Sequence, residues 1–221
     1  ELNQKRVVAA STGNAGSSLA ALTAHHDMES IIFAPASAPP AKLAQIQQHG
    51  AKLVAVESNY DSAFDLAFQY ARKHGDYCRN TGVNPILSEG KKTVALEIAE
   101  QSDWKVPEHI FVPVGDGCII SGVFKGFFDL MALGWIEAMP ALHAVQAEGS
   151  AAIVNSLTRG GEIVAVKATT VADSISVDMP RDGDKARRAI LESGGIGFKV
   201  SDDEILEAQL TLSTTTGIFA E

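Results

Sequence analysis

Short apolar runs alternate with helix-spaced segments along most of the chain. Residues 6–10 (RVVAA), 30–34 (SIIFA) and 52–56 (KLVAV) are rich in β-branched positions and too short for helices, which predicts strands. Between and after them, residues 19–26, 41–49 and 61–74 have helical spacing, the last with Phe64, Leu66, Ala67, Phe68 and Ala71 as its apolar face. Pro39-Pro40 ends the second strand region, and Gly50 and Gly75 are placed to close the helices before them. Residues 76–90 read as irregular, with Asn84-Pro85 inside them. A helix follows at 93–101, a strand at 109–114 (HIFVPV), a Gly-rich turn at 115–122, an apolar helix at 123–133 and a strand at 141–147. Residues 184–193 and 202–212 read as helices bridged by Val200 and Ser201, and Ser201 with Glu204 three residues on forms a capping-box pattern. Strands alternating with helices argue for βαβ units and largely parallel sheet. The expected class is α/β, with two small three-layer domains, 1–106 and 107–221, dividing near Val106.

Composition narrows the function classes. The 221 residues suffice for one large domain or two small ones, and 46% hydrophobic with 20% charged residues is an ordinary globular balance. The formal net charge of -9 comes without any basic stripe, which argues against a nucleic-acid partner. It leaves room for an anionic small ligand, since backbone N–H groups rather than net charge hold many of these. Two cysteines, Cys78 and Cys118, make no disulfide scaffold and suit a reducing, cytoplasmic setting. No apolar run approaches the roughly 18 residues of a membrane helix. The polar opening, with only residues 7–10 apolar after it, predicts no signal peptide. The histidines at 25, 26, 49, 74, 109 and 143 are not at metal-ligand spacing and read as surface or helix-end residues, with His74 suited to a helix C-terminus. Lys91-Lys92 reads as a solvated face, and Phe124, Phe127 and Phe128 as core.

Two strand-to-helix turns carry the candidate chemistry. The first is residues 11–18, Ser-Thr-Gly-Asn-Ala-Gly-Ser-Ser. Small residues let a ligand approach the backbone, and a helix N-terminus offers unpaired N–H groups to a carboxylate or phosphate. The competing reading is a plain turn with Ser or Thr as the helix cap. The second is residues 115–122, Gly-Asp-Gly-Cys-Ile-Ile-Ser-Gly. Its paired glycines allow a nest of N–H groups, but Ile120 stands where a dinucleotide fingerprint needs Gly, and no P-loop Gly-Lys-Ser/Thr is present. Cys118 reads as a small buried residue whose backbone N–H matters.

A strand followed by S-T-G-N and a helix, then later a strand followed by a Gly-rich loop, resembles the β-family (fold type II) pyridoxal-phosphate enzymes. In that family the first turn is the asparagine loop and the second the phosphate cup. The resemblance implies pyridoxal 5'-phosphate as cofactor, with Asn14 beside its ring and Gly115, Asp116, Gly117, Cys118 and Ile119 around its phosphate. It implies an amino-acid substrate at Ser11, Thr12, Asn14 and Ala15. S-T-G-N followed by small residues, V-P-V-G-D-G, and the segments 84–97, 173–182 and 217–221 are similar to the threonine synthase branch. That branch converts O-phosphohomoserine and water to threonine and phosphate. A serine/threonine dehydratase, a cysteate-synthase-like enzyme or an ammonia-lyase is the alternative within the family, and a non-catalytic binder of an anionic metabolite is the alternative outside it.

The chain also departs from the family's pattern. Members carry a Schiff-base lysine tens of residues before the asparagine loop, whereas here only Lys5 precedes Ser11, and the resemblance assigns it no catalytic role. Asp116 and Cys118 stand where threonine synthases often have Asn, and a carboxylate near a phosphate must point away to be tolerated. Both ends are expected to be cut, and such a piece is expected to be marginally stable or to associate, for example as a homo-oligomer.

Overall fold

Strand β1 (Arg6–Ala10) lies at the centre of a parallel sheet ordered β3-β2-β1-β4, with β2 Glu29–Pro35, β3 Lys52–Val56 and β4 Tyr77–Cys78. The computed structural model describes residues 4–11 and 13–220. Two units compose the chain, Glu1–Asn84 and Pro85–Glu221, and this sheet belongs to the first. Helices lie on both of its faces. Val7, Ala9 and Ile32 pack against Leu19 and Ala20 of α1 (Asn14–His25) and Ile46 of α2 (Pro40–Gln48). Val8, Ala10, Ile31 and Phe33 pack against Ala63, Phe64, Ala67 and Ala71 of α3 (Tyr60–His74). Burial on both faces is why these strands read as continuous apolar runs rather than alternating ones. Each fully buried aliphatic side chain here, such as Val8 or Ile32, contributes about 1.5–3 kcal/mol.

Helix ends in this unit follow local chemistry. Asn59 accepts the Ser62 N–H at the start of α3, and Gly75, at φ 69°, closes it in the left-handed region. His74 lies in its last turn, where a cation favours the helix dipole. Two-residue β4 falls where the sequence reads as irregular. It is too short to show periodicity and ends where the buried side chain of Asn80 takes over, accepting the Ala10 N–H at 2.7 Å and donating to the Phe64 carbonyl at 3.0 Å.

In the second unit β5 (His109–Pro113), β6 (Ala141–Ala147) and β7 (Gly197–Val200) form a parallel sheet in the order β5-β6-β7. Val112, Leu142 and Ala144 share one core with α6 (Cys118–Ala132), α7 (Ala152–Arg159) and α8 (Gly183–Glu192). Those helices pack on the face that carries Val112, Leu142 and Ala144. The other face carries Phe111, 60% exposed, stacked on His143, with Phe198 beside them. His143 is buried, bonded to His109 at 2.9 Å and to the Ile196 N–H at 3.1 Å, a pairing created by strand register and invisible in the spacing of histidines.

The division falls at Asn84/Pro85 rather than near Val106, and close packing on α6 explains it. Helices α4 (Pro85–Lys91) and α5 (Thr93–Gln101) approach α6 through glycines. A Cβ on Gly122 would stand 2.5 Å from the Lys91 Cβ, and one on Gly126 2.6 Å from the Ala95 Cβ. Ala95 and Ala99 thereby join the second core. Lys92 is correspondingly no freely solvated lysine: it bonds Asp129 of α6 at 2.7 Å and pairs with Glu89. Phe127 is fully buried as expected and Phe124 packs partly on the same core, but Phe128 is exposed and stacks on Phe124.

Helix α9 (Asp202–Thr216) begins with the expected capping box, both bonds formed between Ser201 and Glu204. It runs past residue 212, with the Thr214, Thr215 and Thr216 hydroxyls turned inward onto carbonyls one turn back, until Gly217 ends it at φ 75°. No helix among the described residues is long and apolar enough to cross a membrane.

Candidate functional site

Helix α1 starts at Asn14, five residues before the apolar spacing becomes visible. Gly13 is its cap residue, with no side-chain cap and no acidic residue in the first turn. The expectation of a Ser or Thr cap is therefore not met at Ser11. The Ser11 hydroxyl accepts the Gly13 N–H at 3.4 Å, and its own N–H is tied to the Phe33 carbonyl at 3.0 Å. Thr12 lies outside the described residues. Asn14 and Ala15 are exposed at the start of the helix, whereas Gly16 is buried because a Cβ there would press on Ile46 at 3.0 Å and Ser11 at 3.2 Å. The turn thus presents a helix N-terminus whose cap residue, Gly13, offers no side-chain bond, with Asn14 as its first residue. Asn80, which no motif singles out, fixes the approach: its amide holds Ala10, the residue before Ser11.

Helix α6 likewise starts early, at Cys118 instead of Val123. Its cap is Gly117 at φ 88°, again with no side-chain cap and no acid in the first turn. A Cβ on Gly117 would stand 2.7 Å from the Ala186 Cβ and 3.0 Å from the Asp182 carbonyl oxygen. Only glycine meets both the left-handed backbone and this close approach. The first N–H groups of α6 are left for an anion, reinforced by the positive end of the helix dipole. A phosphate fits this donor set: main-chain N–H groups on a nest of small residues with the neighbouring carboxylate turned aside. That carboxylate is Asp116, whose Oδ1 accepts the Arg181 N–H at 3.1 Å. The buried Cys118 thiol faces the buried Asp182 carboxylate. Burial first, and Asp182 second, push its pKa far up, so it stays protonated and is no nucleophile. Ile119 is half exposed on the outer side of the turn.

Lys5, the lysine that precedes Ser11 in the sequence, sits apart from these turns. Lys5 is exposed at the start of β1, with its carbonyl accepting the Glu29 N–H. The five residues of β1 separate it from Ser11 by ~20 Å. Among the described residues no group of three His, Cys, Asp or Glu side chains could hold a metal.

Comparison with known proteins gives the chain's relatives and its family. A threonine synthase of Methanocaldococcus jannaschii is 39% identical over 224 residues, covering 100% of this chain and 55% of that protein. One of Methanosarcina acetivorans is 37% identical, again covering 55% of its length. The chain thus spans about half the length of these curated relatives. An L-serine ammonia-lyase structure from Rhizomucor miehei superposes with a TM-score of 0.85 at 22% identity, covering 99% of this chain and 67% of that one; this likeness shows the fold, that of fold type II enzymes. The model of the pyridoxal-phosphate dependent enzyme family matches residues 1–221, and the chain belongs to that family.

Proposed function

We propose that the protein carrying this chain is a pyridoxal-phosphate-dependent lyase resembling threonine synthase, acting on O-phosphohomoserine and water to give threonine and phosphate. The observation that supports the reading is the N-terminus of α6 behind left-handed Gly117, which has no side-chain cap, in the Gly-rich turn that resembles the family's phosphate cup. The branch is supported by the curated relatives above, which bear the name threonine synthase. The cofactor, when bound, supplies the electron sink for elimination and water addition. The chain supplies binding and orientation. Gly115, Asp116, Gly117, Cys118 and Ile119 hold the cofactor phosphate by main-chain groups, and Asn14 offers its amide to the ring. Ser11, Thr12, Asn14 and Ala15 receive the substrate carboxylate on the α1 N-terminus. The assignment has residues 1–106 as the small domain's share and 107–221 as part of the large one, adjusted by the packing of α4 and α5 on α6.

The two free thiols, Cys78 and Cys118, fit a cytoplasmic setting. The exposed Phe111 and Phe198 rings and the Leu206 and Leu210 side chains are surfaces through which this piece would associate, a homo-oligomer included. Asn14→Ala tests the site. An amide hydrogen bond to a cofactor or substrate oxygen is worth about 1–1.5 kcal/mol, so cofactor Kd should rise, or kcat/KM fall, about tenfold in the intact protein. Unchanged binding and kinetics would remove Asn14 from the site.

A further inference from the structure

Asp116 is an odd residue for a phosphate cup, and the structure shows what it does there. Its backbone carbonyl accepts the Asp182 N–H at 2.9 Å, and its carboxylate Oδ1 accepts the Arg181 N–H at 3.1 Å. Two consecutive N–H groups of the turn before α8 thus end on one residue of the cup. The neighbours on either side are in close contact with the same segment, residues 175–182, which forms a strap under the cup. A Cβ on Gly115 would lie 3.0 Å from the Ile175 Cα, and one on Gly117 3.0 Å from the Asp182 carbonyl oxygen. The strap is itself anchored. The Ser150 hydroxyl accepts the Val177 N–H and bonds the Ile175 and Val177 carbonyls, at 3.0–3.2 Å. Asp178 accepts the Ala168 N–H at 2.8 Å. At the end of the strap, the Asp182 carbonyl accepts the Ala186 N–H at 2.9 Å, and its carboxylate takes Lys185 at 2.6 Å.

We propose that Asp116 is the positioning residue of the cup: it latches the Gly-rich turn to the 180–183 turn and so holds the free N–H groups of α6 in register for a phosphate. The inference rests on reading residues 115–119 as a phosphate cup and adds a role that the cup's own main chain does not supply. A turn with a left-handed glycine at its centre has many backbone states when free. The latch selects the one in which the N–H groups converge, and the anion then meets a preorganised site. An asparagine at 116 keeps an acceptor oxygen for the Arg181 N–H.

The test uses this chain with inorganic phosphate as the probe, read by amide shifts of Cys118, Ile119 and Ile120, alongside thermal melting. Asp116→Ala should weaken phosphate at least tenfold with Tm nearly kept, and Asp116→Asn should restore it to within about threefold of the parent. Phosphate affinity unchanged in Asp116→Ala, or as weak in Asp116→Asn as in Asp116→Ala, overturns the latch. The parent chain gives a second, independent reading should Asp116→Ala fail to fold. Coupling is reciprocal, so saturating phosphate must slow hydrogen exchange of the Arg181 amide. Exchange there that ignores phosphate overturns the latch as well. No phosphate binding by the parent chain would overturn the cup reading, and the latch with it, which is a different result from a parent that binds and a variant that binds equally.

Discussion

Gly117→Ala is expected to abolish useful cofactor binding while costing about 2–4 kcal/mol of stability. Two penalties coincide at this residue. Its φ of 88° costs a Cβ-bearing residue roughly 1–2 kcal/mol. The new Cβ would also stand 2.7 Å from the Ala186 Cβ and 3.0 Å from a main-chain oxygen of Asp182, and α8 and the cup cannot both keep their places. The relief is a shift of the turn, which moves the first N–H groups of α6 out of convergence. Losing two such charge-assisted bonds weakens cofactor binding at least about a hundredfold. The measurement is a titration with pyridoxal phosphate beside a urea melt. Gly90→Ala is the control, since Gly90 lies within α4 with a φ outside the left-handed range and nothing within 4 Å of the added Cβ. It should leave stability unchanged or raise it by up to about 1 kcal/mol. Equal behaviour of the two alanines would refute the steric account.

The second large effect is expected at Asn80, which is fully buried and belongs to no motif. Its amide satisfies the Ala10 N–H and the Phe64 carbonyl at once. Asn80→Ala leaves the Ala10 N–H unpaired in the core, at about 1–3 kcal/mol, whereas the Phe64 carbonyl, inside α3, keeps its helical bond. The urea midpoint of the first unit should fall accordingly, and substrate affinity with it, because Ala10 leads into Ser11. Asn80→Asp separates the two bonds by pH. A protonated acid can still donate to the Phe64 carbonyl, whereas a buried carboxylate cannot and faces that oxygen directly. Burial raises the folded-state pKa of such an acid above its unfolded value near 4. The variant should therefore be most stable below roughly pH 4 and lose stability as pH rises above it. A pH-independent Asn80→Asp protein would contradict the bonding described.

The contrast between these positions shows what a sequence makes legible. The long strands were readable because parallel sheet buried on both faces leaves unbroken runs such as VVAA and SIIF. Gly50 and Gly75, at φ 82° and 69°, stand where helix endings were expected, and the Ser201–Glu204 capping box is formed. Both candidate turns were visible as small-residue patches, but the starts of α1 and α6 inside them were not. The Gly and Ser residues that admit a ligand to the backbone also erase the apolar spacing by which a helix is recognised. Two-residue β4 and four-residue β7 carry too few positions for a period to show. Asn80, Ser150 and the Asp116–Arg181 bond join residues far apart in the chain, so no local pattern announces them. Segment 173–182 resembles threonine synthases in sequence, yet its close packing against Gly115 and Gly117 is a tertiary contact that no local pattern carries.

Product analysis with the intact protein, loaded with pyridoxal phosphate and offered O-phosphohomoserine and L-serine in parallel, tests the central claim most directly. The account predicts threonine and inorganic phosphate in equal amounts from O-phosphohomoserine, with L-serine largely untouched. Ammonia and a 2-oxo acid from L-serine, with O-phosphohomoserine recovered intact, would contradict it and place the protein among the ammonia-lyases of the same fold.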